Sequence, residues 1–402
     1  MLSGADIVCV SSLDWEGHWT SKQQIMHRLA RRNRVLYLEE PVTALAPFRV
    51  PARWDRWKAL RPALRNPEPN VWVLTPPPLL PFGNMRPFLN RTNQLILSQY
   101  LRWAVRRLHF RDYVLWTYLP TSIHLVDLLR PALLVYHCVD EHSAFPGFVD
   151  PVTVTAYDRA LTARADLVIT TASTLREGRR DLNPRVFHVP NAADVSHFER
   201  ALDPDLQVPE DLARISGPRV GVVGVHDERL DVEAIEAIAA ADPAWQVVLI
   251  GPIRPGDVDV ARLERLGNVH LLGGRPREEL PAYLKGLDVA LIPYRLNELT
   301  RNIFPLKLFE YLAAGVPVVA SALPELRPYE RWIALADTPE SYPALVRAAL
   351  EKGERGRAER VALARRNSWE DRVEAISEYV EEAWWARRRA GAGGAGTEGG
   401  RR

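Results

Sequence analysis

Only two cysteines occur in 402 residues, Cys9 and Cys138, both inside apolar, strand-like runs. That is neither a disulfide framework nor metal-ligand spacing, and it points to a reducing compartment. No apolar stretch is long enough to span a bilayer. The first residues, MLSGADIVCVSS, have no basic start and no secretory hydrophobic segment. The expected location is cytoplasmic. A GxGxxG turn is missing after the first strand-like run, which argues against nicotinamide chemistry.

What remains is a soluble globular composition, 47% hydrophobic and 25% charged, too long for one ordinary core. Net charge is +2, but residues 1–111 hold 17 Lys and Arg against 7 Asp and Glu. Between Arg49 and Arg111 the arginines are interleaved with Trp54, Trp57, Trp72, Phe88 and Trp103. Basic residues beside aromatics suit an anionic membrane surface or a phosphate-bearing acceptor, and nucleic acid could use the same ingredients. The competing reading is arginine-rich composition with tryptophans in a core.

Strand-like runs alternate with helical ones, which predicts parallel, doubly wound sheets. ADIVCVSS, RVLYLEEP, DYVLWTYLP, LLVYHCVDE, ADLVITTA and RVFHVPNAAD make a first half. The pattern restarts with RVGVVG, WQVVLIGP, NVHLLGG, VALIPY and VPVVAS. The expected domains are 1–195, a linker over 196–217, a second domain over 218–366, a final helix over 367–386 and a disordered tail over 387–402. Residues 41–70 and 76–90 are proline-rich and resist assignment.

The segment Asp288 to Ser321 carries the most chemistry. An apolar strand leads to a polar loop with Thr300 and Asn302. Pro305 and Leu306 then open a helix that carries one carboxylate, Glu310. Lys307 lies three residues earlier on the same face, where a cation opposes the helix dipole and a bound anion would explain it. Gly315 suits a left-handed cap. Gly221 and Gly224 follow a strand, Gly251 ends the next, and Arg229 stands five residues after Gly224, a placement that suits diphosphate. An ordinary strand–helix turn explains the glycines equally well. In the first half, Asp14, Trp15, Glu16, Gly17, His18 and Trp19 follow the first strand, while His137, Asp140, Glu141 and His142 end another. Acids and histidines at strand ends can position hydroxyls or move protons. His137 alone reads as a core residue, and Asn191 and Asp194 read as turn formers.

Taken in order, VYHCVDEHSAF, ADLVITTASTL, VPNAADVSHF, GVVGVHDERLD, NVHLLGGRPREELPAYLKGLDVALIPY and PLKLFEYLAAGVPVV resemble the GT-B glycosyltransferases of the retaining family 4 type, closest to bacterial teichuronic acid and polysaccharide biosynthesis enzymes. The resemblance spans residues 5–385. It implies an α/β protein of GT-B architecture, with two Rossmann-like doubly wound domains facing across a cleft and a last helix crossing back to the first domain. It implies a nucleoside-diphosphate sugar donor (UDP, GDP or dTDP), no cofactor and no required metal; no DxD-type motif stands out. Donor contacts carry over to Gly224, Arg229, Gly251, Arg275, Thr300, Asn302, Pro305, Leu306, Lys307 and Glu310. Within that set Glu310 holds the ribose, Arg229 and Lys307 meet the diphosphate, and Arg275 cradles the base. The chemical step falls to Glu310, Lys307, Arg229 and Asp140. Acceptor contacts fall to Trp15, Glu16, Gly17, His18, His137, Asp140 and Glu141. Asn302 stands where the family often has a sugar-contacting glutamate.

The expected partners are the donor, a glycan or lipid-linked acceptor, and an anionic membrane surface at the inner face of the cell membrane, but no nucleic acid. The alternatives are a sugar-nucleotide epimerase of the same fold and a non-catalytic anionic-surface binder.

Overall fold

The computed structural model describes residues 2–17, 19–45, 63–145, 147 and 149–394. They divide into two compact units, one drawn from 2–190 with 372–394 and the other 191–371.

In the first unit, β1 (Asp6–Val10), β2 (Arg34–Leu38), β4 (Val71–Thr75), β5 (Val114–Thr117), β6 (Leu133–Cys138), β7 (Leu167–Thr170) and β8 (Val186–His188) form a parallel sheet. One antiparallel edge strand, β3 (Ala63–Glu68), joins it, and the order is β3-β4-β2-β1-β5-β6-β7-β8. β1, β5, β6 and β7 are buried at every residue, as strands covered on both faces must be. β3 and β4 lie in and beside the stretch that resisted assignment. Pro67 removes a ladder donor, which an edge strand tolerates.

Helices cover the faces, and their starts follow local chemistry. Thr20 and Gln23 close a capping box on Ser21–Ala30. Asp150 accepts from Thr153 N at 3.1 Å and Pro151 occupies the first turn of Pro151–Arg164. From Arg372 onward the helix Trp369–Gly394 belongs to this unit, with Tyr379 stacked on Phe187 at 4.0 Å. It continues through 387–394, where a disordered tail was expected; residues 395–402 lie outside the described residues.

The second unit is a wholly parallel sheet in the order β11-β10-β9-β12-β13-β14. Its strands are β9 (Arg219–Val223), β10 (Gln246–Ile250), β11 (Val269–Gly273), β12 (Val289–Ile292), β13 (Val318–Ser321) and β14 (Ala334–Ala336). Residues 196–217, expected as a linker, instead carry short helical turns that belong to this unit. Leu212 there is fully buried and Asp211 bonds Arg275 and Tyr283. The Glu310 helix is Lys307–Ala313, starting two residues later than Pro305 suggested, and Gly315 takes the left-handed conformation that ends it.

In each sheet the strand order reverses once, between β1 and β5 in the first and between β9 and β12 in the second. Open α/β sheets bind ligands beyond the carboxyl ends of the strands at such a reversal.

Candidate functional site

At the second unit's reversal, Gly224, His226, Asp227 and Arg229 follow β9 and Tyr294 follows β12. Gly224 has φ +117°, and a Cβ there would lie 3.4 Å from Lys307 Nζ, so the lysine closes on bare backbone. Gly251 has φ +144°, and a Cβ there would overlap the Gly224 carbonyl. Its glycine lets two chain segments pack and leaves no room for the expected phosphate approach.

Lys307 is 9% exposed and, among the described residues, makes no hydrogen bond or ion pair. Its ammonium stands 5.4 Å from the Tyr294 ring centre, and the Arg229 guanidinium stands 5.4 Å from the same centre. Arg229 is aimed by Asp227, a buried carboxylate that receives Nε at 2.7 Å and Nη2 at 2.5 Å. Two cations thus meet at one aromatic ring beside a glycine, Arg229 held by Asp227 and Lys307 held by no hydrogen bond or ion pair among the described residues. Beside them His226 is buried, its Nε2 has no partner, and burial followed by the Lys307 charge pulls its pKa down to about 3. It stays neutral.

Glu310 lies one turn along from Lys307 and is half-buried. No hydrogen bond or ion pair among the described residues holds its carboxylate. Burial pushes its pKa up to about 7, against the lowering effect of Lys307 and Arg277. A carboxylate kept unsatisfied and beside cations is a ready acceptor for ligand hydroxyls. Arg277 itself bonds Asp194 at 2.6 Å, so Asp194 is more than a turn former.

Three expected donor contacts are placed differently. Thr300 is fully buried, and its hydroxyl and amide are consumed by the cap that Asn297 makes on Glu298–Arg301. The Arg275 guanidinium is committed to Asp211 at 2.6 Å and Tyr283 at 2.6 Å, which holds the 196–217 segment down and leaves only backbone for a base. Asn302 donates its amide to Glu298 O at 2.9 Å. Pro305 is buried and Leu306 half-buried at the start of the Glu310 helix.

The first unit gathers a second set at its own reversal. Lys22, from the helix after β1, is 7% exposed and stands 5.6 Å from the Tyr118 ring centre. His137 stacks on that ring at 4.9 Å, and neither of its nitrogens has a partner. Burial, with the Lys22 charge second, brings the His137 pKa to about 3. His137 is thus the core residue that the sequence suggested, but its ring nitrogens are unsatisfied. Asp140 supplies the largest attraction on the Lys22 charge, against a burial that disfavours it. His142 pairs through Nε2 with Tyr118 O at 3.1 Å. Glu141 takes Ser143 Oγ at 2.6 Å and Arg179 at 3.4 Å.

Trp15 is buried against Tyr37 and Trp19, and its amide donates to Glu39. It is a wall rather than a contact surface. Glu16, exposed, pairs with Arg65, and Gly17 has φ +101°. His18 lies outside the described residues. So do Trp54 and Trp57 of the basic, aromatic stretch. Trp72 packs on Phe110 at 6.0 Å beside the core, whereas Phe88 and Trp103 are exposed.

Lys22, His226, Asp227 and Tyr294 were not singled out from the sequence. Lys22 was findable by the argument that exposed Lys307, a cation in the first turn of a helix.

Residues 218–351 match the family described as "Glycosyl transferases group 1". The chain is 32% identical over 168 residues to TuaH of Bacillus subtilis (strain 168), whose name assigns it to teichuronic acid biosynthesis as a glycosyltransferase. The match covers 40% of this chain and 42% of TuaH, so it spans less than half the length of that relative. Two solved structures align over nearly the whole fold. Sucrose-phosphate synthase from Thermosynechococcus elongatus has a TM-score of 0.71 at 17% identity, covering 95% of this chain and 100% of that one. Anabaena HepE, solved with UDP and glucose, has a TM-score of 0.64 at 14% identity, covering 93% and 99%.

Proposed function

We propose that this chain, a GT-B fold whose second unit is a group 1 glycosyltransferase domain, moves a sugar from a nucleoside-diphosphate sugar to a hydroxyl of a glycan or lipid-linked acceptor in cell-envelope polysaccharide or glycolipid biosynthesis. The observation that carries this reading is the pairing of Lys307 and Arg229 around Tyr294, beside Gly224 and next to the unsatisfied carboxylate of Glu310. Two fixed cations beside accessible backbone suit a diphosphate, and Glu310 suits the two hydroxyls of a ribose.

The chemistry asked of the protein is electrostatic. The bond from the anomeric carbon to the diphosphate oxygen breaks, and the bond to the acceptor oxygen forms. The acceptor proton leaves with the diphosphate, whose growing charge Lys307 and Arg229 stabilise. Retention of anomeric configuration follows the resemblance to family 4, and no metal is needed to meet the charge. A UDP-sugar is the leading donor, because HepE was solved with UDP and glucose.

Membrane contact is part of the same proposal. The helix Pro87–Arg107 carries four arginines and no acidic residue. Phe88, Leu95 and Trp103, 68%, 49% and 41% exposed, share its outer face with Arg91 and Arg106. An apolar face ringed by arginine fits an anionic lipid surface. Among the described residues no helix is long and apolar enough to cross a membrane.

A thermal-shift panel of UDP-, GDP- and dTDP-sugars tests the donor site, since a ligand that binds only the folded state raises its melting temperature. One of the three should stabilise the protein, and Glu310→Ala should abolish that shift. An unchanged shift in the variant would overturn the assignment.

A further inference from the structure

The two units repeat one arrangement, and only one copy has a use so far. In the second unit a buried lysine without a hydrogen-bond partner faces a tyrosine ring at the point where strand order reverses. In the first unit Lys22 does the same against Tyr118, at 5.6 Å against the 5.4 Å of Lys307 and Tyr294. Lys22 has no hydrogen bond or ion pair among the described residues. It sits in the first turn of a ten-residue helix, where the dipole adds to its own positive charge. His137 is 1% exposed with both ring nitrogens unpartnered, and the Tyr118 hydroxyl is unpartnered as well.

A buried ammonium and three orphaned polar atoms around one ring cost free energy in the empty protein. A folded chain keeps such a cluster when a ligand completes it. The ammonium calls for an oxyanion. His137 and Tyr118 each supply a hydrogen bond to hydroxyls beside it, and Asp140, at the same strand ends, accepts one more.

We propose that Lys22, His137 and Tyr118 form an oxyanion subsite of the first unit that takes the carboxylate or phosphate of an acidic sugar. It rests on the transferase reading only in calling that sugar the acceptor.

The test uses the full chain and three probes: p-nitrophenyl β-D-glucuronide, glucose 6-phosphate and the neutral p-nitrophenyl β-D-glucoside. Binding is followed by ligand-observed NMR titration. At least one acidic probe should bind on the order of tenfold more tightly than the glucoside, the size of one charge-assisted hydrogen bond. Preference for the glucuronide identifies a carboxylate, and preference for the phosphate ester identifies a phosphate. Lys22→Met should erase the preference, Lys22→Arg should restore part of it, and UDP affinity should stay unchanged in both.

Equal binding of all three probes by the wild-type protein overturns the proposal whatever the variants do. So does a preference that survives Lys22→Met, or a loss of UDP affinity in Lys22→Met that matches the loss of the acidic probe. The transferase reading is judged separately, by UDP-sugar stabilisation in the wild type and its loss in Glu310→Ala.

Discussion

Replacing Glu310 by glutamine should strengthen the empty protein and weaken its grip on the donor. Burial holds the Glu310 pKa up to about 7 in the folded chain, against an ordinary value of about 4.3 in an unfolded one. For an acid whose folded pKa is raised, the stabilising contribution is full below pH 4 and is lost as pH rises through 7. At pH 8 the folded state therefore carries an ionised carboxylate it would rather protonate. A shift of that size corresponds to at most about 4 kcal/mol, and partial exposure reduces it to about 1–2 kcal/mol. Glu310→Gln removes this cost, so the apo melting temperature at pH 8 should rise by roughly 3–6 °C for a unit of this size. The donor pays in the other direction. A carboxylate accepting a ribose hydroxyl is worth about 1.5–3 kcal/mol more than an unmade bond, and an amide recovers only part of it. Donor affinity should fall by roughly ten- to a hundredfold. Wild-type affinity should also climb between pH 6 and 8 as the carboxylate forms, with a flat profile in the variant. Scanning fluorimetry of apo protein, with and without the stabilising nucleotide sugar, reads all three effects. A less stable apo variant, or an unchanged donor shift, would refute the reasoning.

Asp227→Asn should leave the fold intact at pH 7 but release the Arg229 guanidinium from its bidentate hold; turnover should drop by roughly tenfold or more with a smaller change in donor KM, measured by nucleotide release. Gly251→Ala should destabilise by more than about 3 kcal/mol, because the new Cβ overlaps the Gly224 carbonyl at a backbone angle that favours glycine; the urea midpoint checks it, and a wild-type midpoint would contradict the packing role. Phe88→Ser with Trp103→Ser should cut sedimentation with vesicles rich in anionic lipid while UDP-sugar stabilisation stays at the wild-type level. Equal sedimentation of the double variant would remove this helix from the membrane proposal.

The parts of the fold that the sequence announced are those where every residue votes the same way. β1, β5, β6 and β7 are apolar on both faces because helices cover both, so continuous apolar runs located them. β3 was hidden for the opposite reason: an edge strand tolerates Pro67 and half-exposed polar residues, and nothing periodic survives in ALRNPE. Ala334–Ala336, at the other sheet's edge, is too short to carry a pattern. Site residues divide along a similar line. Glu310 and Lys307 stood out because each breaks the character of its own helix. Thr300 and Arg275 had suitable chemistry for a ligand, but their partners, the Asn297 cap and Asp211, decide what that chemistry is spent on. Asp211 lies 64 residues from Arg275, and one-dimensional spacing gives no access to such a pair.

The same reasoning explains why the two lysines matter more than the many arginines. Arg275, Arg277, Arg179 and Arg229 all meet carboxylates in the folded chain, so their charges are balanced before any ligand arrives. Lys22 and Lys307 are as buried as core residues, yet no hydrogen bond or ion pair is formed by either ammonium among the described residues. A buried charge that no hydrogen bond or ion pair holds is expensive, and each sits where strand order reverses, the place an open α/β sheet offers to ligands. Cost and location together single out these two positions. Substituting either by methionine should therefore stabilise the empty protein while removing affinity for its own anion. On the proposed assignments that anion is the donor diphosphate for Lys307 and the acidic sugar for Lys22. Methionine at Lys307 should leave glucuronide and sugar-phosphate binding untouched, and methionine at Lys22 should leave UDP binding untouched, because the two lysines belong to different folding units. If either substitution weakened both ligands equally, the charges would be acting through overall stability, and neither lysine would mark a site.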